Sequence, residues 1–193
     1  MSDLVVDTLF ARHTSDDFLS LSMGRRPVRW PVLRSCGAYG MGEPIIYVDA
    51  DACPVKDEAL RVAMRHRLTI AFVANQGSRP TRDPMIRYVY VPYGPDAADD
   101  WIVEQVTARD IVVTADIPLA SRVLEVGAQA IGPTGTRFTR DSIGMALAVR
   151  SLKQYLRETG ENRGLNPEFT QRDRSQFLAI LDEAVNRAKR TPG

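Results

Sequence analysis

The chain has 193 residues, 44% apolar and 25% charged, and its 25 basic and 24 acidic side chains leave a formal net charge of +1. That balance argues against nucleic-acid binding through bulk charge, and two cysteines, Cys36 and Cys53, make no disulfide framework. No apolar run approaches the roughly 20 residues of a membrane span, so a soluble cytoplasmic protein with one domain and an appendage is expected.

Residues 1–43 show no sustained periodicity. They hold Asp16-Asp17, Arg25-Arg26-Pro27 and Trp30-Pro31, with an exit rich in glycine at Gly37, Gly40 and Gly42. A poorly ordered extension is expected, without the continuous apolar stretch of a secretory signal. One reading starts translation near Met41. An intact mass that includes residues 1–40 would refute it.

From Pro44 the pattern alternates. Ile45–Val48 reads as a buried strand, and Pro54 as the opening of a helix to about Arg67, with Val55, Ala59, Val62 and Ala63 inward. Strands follow at 68–74 and 88–91, then a helix at 96–108 after Gly94-Pro95 and a strand at 111–113. A helix at 118–126 closed by Gly127 leads to a short strand at 128–131. About five strands alternating with helices predict an α/β fold, a mostly parallel sheet covered on both faces. A helix at 141–159 carries Met145, Ala148, Val149, Leu152, Tyr155 and Leu156 on one stripe. The last helix starts near Thr170 with Asp173 placed for a capping box, and buries Phe177, Ile180, Leu181, Ala184 and Ala188.

Carboxylates gather at the strand ends. Asp49 and Asp51 follow the first strand, and Asp116 follows the strand at 111–113. If those strands are neighbours across a topological switch, the three acids share one rim. On the 96–108 helix, counting back from Val103 and Val106 puts Asp99 inward and Asp96 on the same face, with Asp100 toward a more polar side. Two such charges about 4 Å apart repel by roughly 4 kcal/mol at an effective dielectric of 20, so the group needs a cation, a shared proton or solvent. Oxygen-only ligation points to Mg²⁺ or Mn²⁺ held by Asp49, Asp51, Asp96, Asp99, Asp100 and Asp116. Metal-held water attacking a nucleic-acid phosphodiester is the expected chemistry, with Asp49, Asp96, Asp99 and Asp116 as its catalytic acids. Lys56, Asn75, Gln76, Arg137, Arg140 and Arg150 are candidate substrate contacts, and Arg150, Lys153 and Arg157 form a basic stripe suited to a phosphate backbone. Between Pro44 and Val149 lie 11 basic and 13 acidic residues, against 9 and 6 from Arg150 onward, a distribution compatible with a metal pocket beside a basic tail and equally with ordinary solvated faces.

Tyr47-Val-Asp-Ala-Asp-Ala-Cys-Pro-Val-Lys56, Gly94-Pro-Asp-Ala-Ala-Asp-Asp100, Val113-Thr-Ala-Asp-Ile-Pro-Leu-Ala120 and Asp173-Arg-Ser-Gln-Phe177 resemble the YaiI/YqxD family of bacterial proteins over roughly residues 44–188. The family is placed among PIN-like proteins, whose better-known members are metal-dependent ribonucleases. The resemblance implies a PIN-like domain over 44–190, with RNA as its partner. It also implies acids after strand one, in a following helix and after strand four, which Asp49, Asp96 or Asp99, and Asp116 match. Thr114-Ala-Asp116 looks like the strand-four motif of the NYN branch, which makes Thr114 a further substrate-side candidate. Asp141 is the nearest match to a fourth acid, and its helix-start position suits a cap equally well.

Three other readings compete. Asp49-Ala-Asp51 resembles the first motif of haloacid-dehalogenase-like phosphatases, but no lysine lies between Lys56 and Lys153 and Asp116 has no acid four residues on. Cys53 as a thiol nucleophile lacks a base, and zinc lacks ligand spacing. A non-catalytic RNA-binding or protein-interaction module with a vestigial metal site is the third.

Overall fold

A computed structural model describes residues 42–51, 53–75, 83–91, 94, 96–159 and 169–190, all within the unit Val32–Gly193. The expected N-terminal extension (apart from Gly42 and Glu43) and Gln76 lie outside the described residues.

Six strands form one sheet: β1 (Ile46–Asp49), β2 (Ile70–Ala74), β3 (Ile86–Tyr90), β4 (Ile111–Val113), β5 (Gln129–Ile131) and β6 (Arg137–Phe138). Their order is β3-β2-β1-β4-β5-β6. The first five are parallel, and β6 runs antiparallel to β5. The fold is thus α/β with a mostly parallel sheet, as the pattern predicts, plus one strand beyond the expected five. β6 is two residues long and returns through a turn in which Gly132 N–H donates to Thr136 O (2.8 Å) and Gly135 N–H to Gly132 O (2.9 Å). So short a strand carries no readable period.

The five helices are α1 (Lys56–His66), α2 (Ala97–Gln105), α3 (Ile117–Val126), α4 (Arg140–Glu158) and α5 (Gln171–Arg190). On one face of the sheet, Ile46, Val48, Ile70, Phe72, Ile111, Val113 and Ile131 pack with α1 and α5. The alternate residues Tyr47, Ala71, Val73, Val112 and Ala130 are buried as well. There Trp101 of α2 meets Tyr47 edge-on, ring centres 6.2 Å apart. Covering on both sides explains why these strands read as continuous apolar runs.

Local chemistry sets the helix limits. α1 starts two residues after Pro54, with Val55 as its N-cap and Arg67 in the left-handed region at its end. α2 stops at Gln105, short of the expected residue 108, because Val106 turns extended. The following turn is held by Asp110, fully buried, which accepts from Thr107 N–H (2.7 Å) and Thr107 Oγ1 (2.8 Å) on one oxygen and from Ile45 N–H (2.8 Å) on the other. Asp110 ties the start of β1 to the approach of β4 at the end of the sheet away from the acidic rim. α5 begins with the expected capping box: Thr170 N–H donates to Asp173 Oδ2 (2.8 Å) and Asp173 N–H to Thr170 Oγ1 (3.3 Å).

Apolar burial docks α5, since each large side chain such as Phe177 or Leu181 contributes about 1.5–3 kcal/mol. Polar contacts set its register on α1. Arg174 Nη1 lies 2.7 Å from Glu58 Oε1, and Arg65 and His66 reach Asp182 at 3.2 and 2.8 Å. Lys189 Nζ donates to His66 O (2.9 Å) at the carbonyl end of α1. Burial opposes the charge on Glu58, but the hydrogen bond and charge of Arg174 outweigh it and its pKa is lowered. Among the described residues, no helix is long and apolar enough to cross a membrane.

Candidate functional site

β1 and β4 lie side by side. From β1 the chain proceeds outward to β2 and β3, and from β4 it proceeds the other way to β5, so the sheet's topological switch falls between them. At the carboxyl ends of these strands is a cleft of about 240 Å³, lined by Asp49, Asp51, Asn75, Asp96, Asp99, Asp116 and Arg150 together with Ala97, Ala98 and Pro118.

Each acid is delivered by a different local device. Asp49 is the last residue of β1, in register with Val73. Thr114 follows β4 and is buried. Its hydroxyl donates to Asp49 Oδ2 (3.0 Å) and accepts from Asp116 N–H (2.9 Å), so one side chain joins the two strand-end acids across the switch. Asp51 turns back toward β2 and accepts from Asn75 N–H (3.0 Å). Asp96 is the N-cap of α2 in the left-handed region at φ 60°, and its carboxylate makes no capping bond. Such a conformation in a residue with a Cβ costs on the order of 1 kcal/mol. Asp99 sits three residues on, half-buried in the first turn of α2.

Asp116 has two attachments. Its Oδ2 accepts from Leu119 N–H (3.1 Å) and caps α3, whose first turn also holds Pro118. Its Oδ1 lies 2.9 Å from Arg150 Nη1 of α4. Asp116 is thus an N-cap that also lines the cleft.

The acids oppose one another's charge. Burial raises the pKa of Asp49, with Asp51 and Asp116 adding to the effect and the Thr114 hydrogen bond partly offsetting it. Asp99 is pushed up to about 6, first by burial and then by Asp116, Asp49 and Asp96. Burial also raises the Cys53 thiol above its usual range, which suits a packed side chain and not a nucleophile.

The donor set fits a hard divalent cation. All candidate ligands are oxygens, Asp49 and Asp99 carry raised pKa values that a positive charge would relieve, and the buried side-chain oxygen of Asn75 has no hydrogen-bond partner among the described residues. Among the described residues no three Asp, Glu, His or Cys side chains close on one point. The carboxylates line the cleft from three elements.

Other sequence candidates go elsewhere. Asp100 is exposed and pairs with Arg122 at 2.7 Å, because it lies on the α2 side that faces α3 and not on the cleft side. Lys56 is exposed at the start of α1 and does not line the cleft. Arg137 pairs with Glu183 of α5. Arg140 donates to Leu124 O (3.2 and 3.4 Å) at the end of α3. Arg137 instead lines a second cavity beside β5, β6 and α5. The buried stripe of α2 is Ala98, Trp101, Ile102 and Gln105, with Val103 only partly covered, so the helix is rotated slightly from the expected setting while Asp99 still reaches the cleft. The bridging place of Thr114 goes beyond its expected role as a substrate contact. A hydroxyl accepting the N–H two residues on is a common local turn, so Thr114-Ala115-Asp116 carried that signal.

The family described as "Uncharacterized BCR, YaiI/YqxD family" matches residues 47–187. A UPF0178 protein of Parvibaculum lavamentivorans is 58% identical over 147 residues, covering 76% of this chain and 97% of the relative. UPF0178 proteins of Mesorhizobium japonicum and Rhizobium meliloti are 57% and 59% identical over 155 and 146 residues, covering 79% and 76% of this chain and all of each relative. No solved structure matches the chain. With its strand-end acids and α5 as far as Arg187 inside the matched span, the chain belongs to the YaiI/YqxD family.

Proposed function

We propose that this protein is a PIN-like nuclease that hydrolyses RNA phosphodiester bonds with Mg²⁺ or Mn²⁺. The observation that carries the reading is the convergence of five aspartates, from the ends of β1 and β4 and the first turn of α2, on one cleft at the switch point. Asp49, Asp99 and Asp116 would hold the cation, with Asp51 and Asp96 at its margin. An ion held there would supply an activated water and stabilise charge on the phosphoryl oxygens. Thr114 keeps Asp49 oriented and favours its charged form. Arg150 neutralises Asp116 in the metal-free protein and is placed to meet a phosphate once a cation takes over that task. The choice of RNA follows from the likeness of the motifs to PIN-like ribonucleases.

A non-catalytic RNA-binding module is favoured by one observation: both oxygens of Asp116 are already engaged, by Leu119 N–H and Arg150. One experiment separates the two. Crystals soaked in Mn²⁺ should show anomalous scattering between Asp49 and Asp116, and RNA cleavage in Mn²⁺ should vanish with EDTA or with Asp49→Asn while binding survives. RNA binding that is indifferent to EDTA, with no turnover, would select the non-catalytic reading.

A further inference from the structure

α4 has two unlike sides. Ile143, Ala146, Leu147 and Arg150 are partly covered where the helix lies along α3, and Arg150 reaches Asp116. The opposite side presents Met145, Val149, Leu152 and Tyr155, exposed by 71%, 42%, 57% and 62%. These four are most of the large apolar side chains exposed among the described residues, and they fall on one helical stripe.

We infer that α4 is a self-pairing helix through which two copies of this chain associate, antiparallel, about a two-fold axis near residues 150 and 151. Spacing is the first argument. Met145, Val149, Leu152 and Leu156 recur at intervals of four, three and four, as in the seam of paired helices, with Ala148 and Tyr155 beside them on one flank. Area is the second. The four exposed side chains present on the order of 400 Å², as large as the biggest patch usual on a monomer. That is about half of the ~800 Å² each partner contributes to a standard interface, before the flanking residues are added.

Self-complementarity is the third argument. In the antiparallel register Met145 meets Leu156 of the second copy, and Val149 meets its Leu152. The flanking positions then set Tyr155 over Ala148, a long side chain over a small one. Lys153 never faces its own copy, and the helix dipoles oppose. A two-fold arrangement of this kind repeats every contact twice.

The test uses the full chain. At about 100 µM, where even a micromolar dimer is saturated, light scattering behind size exclusion should give twice the 21.5 kDa chain mass. The double variant Met145→Glu, Leu152→Glu should run as a monomer with an unchanged far-UV circular dichroism spectrum, since neither side chain is in the core. For register, in a Cys36→Ser background, Met145→Cys protein mixed with Leu156→Cys protein should cross-link under mild oxidation, and neither should do so alone. A monomeric wild type, a dimer indifferent to the double glutamate variant, or cross-linking by each cysteine variant alone would each overturn the proposal. So would a wild type that stays monomeric but floats with anionic phospholipid vesicles, which would make the stripe a lipid-binding face.

Discussion

Asp99→Asn should stabilise the metal-free protein at neutral pH. Asp99 holds its proton up to about pH 6 when folded, against an ordinary value of 3.8. A shift of that size corresponds to roughly 3 kcal/mol at 1.36 kcal/mol per unit. The carboxyl is partly exposed at the cleft, and solvent screening reduces the figure to about 1 kcal/mol. Because the folded state binds the extra proton between the two values, the wild type loses stability as pH rises from about 4 to about 6, and the deficit is complete above that. The amide of the variant carries no charge and escapes it. In urea unfolding with EDTA, the midpoint of the variant should exceed wild type by about 0.5 M near pH 7.5, with no gain near pH 4 and an unchanged slope. Saturating Mn²⁺ should invert the ranking, since ligand at about 100 times its Kd stabilises the wild type by roughly 2.7 kcal/mol and the variant loses a ligand. A variant no more stable than wild type in EDTA at neutral pH, or equally favoured at both pH values, would refute the idea that crowded charge dominates this cleft.

Thr114→Val keeps the shape but strips Asp49 of its donor and Asp116 N–H of its acceptor; it should cost about 1–3 kcal/mol in urea unfolding and push the Asp49 titration, followed by carboxyl NMR, still higher. Asp116→Asn should retain the α3 cap and most stability while losing Mn²⁺ binding by calorimetry, whereas Asp116→Ala should lose about a further 1 kcal/mol with the cap. Arg174→Ala leaves the buried Glu58 carboxylate unpaired and should cost about 2 kcal/mol at neutral pH. The wild-type pair contributes above the unfolded Glu58 value of 4.5 and fades as pH falls through the lowered folded value, so the difference between the two proteins should shrink in acid urea melts. Gly135→Ala should lower the melting temperature by several degrees, because a Cβ there meets Gln176 Cγ at 2.8 Å and the residue sits at φ +80°.

Much of the architecture is legible without coordinates because buried parallel strands announce themselves. Ile46-Tyr47-Val48 and Ile111-Val112-Val113 have no polar residue to hide, and Gly127 at φ +90° closes α3 where the pattern places it. β6 is too short to show a period, and the setting of α2 depends on Trp101 filling the space beside Tyr47. Charged residues are the least legible. Asp100, Arg137 and Arg140 look like site residues in one dimension, and each is taken by a nearer partner: Arg122, Glu183 and the Leu124 carbonyl.

That Asp49 and Asp116 end apolar strands can be read along the chain, since alternation and strand length are local properties. Three outcomes needed the assembled fold: β1 and β4 became neighbours, Thr114 spanned the gap between their acids, and the apolar stripe of α4 was left facing outward. Those outcomes depend on which surfaces remain after the sheet has been covered. A helix pattern records that a stripe exists, while the packing of every other element selects what it meets.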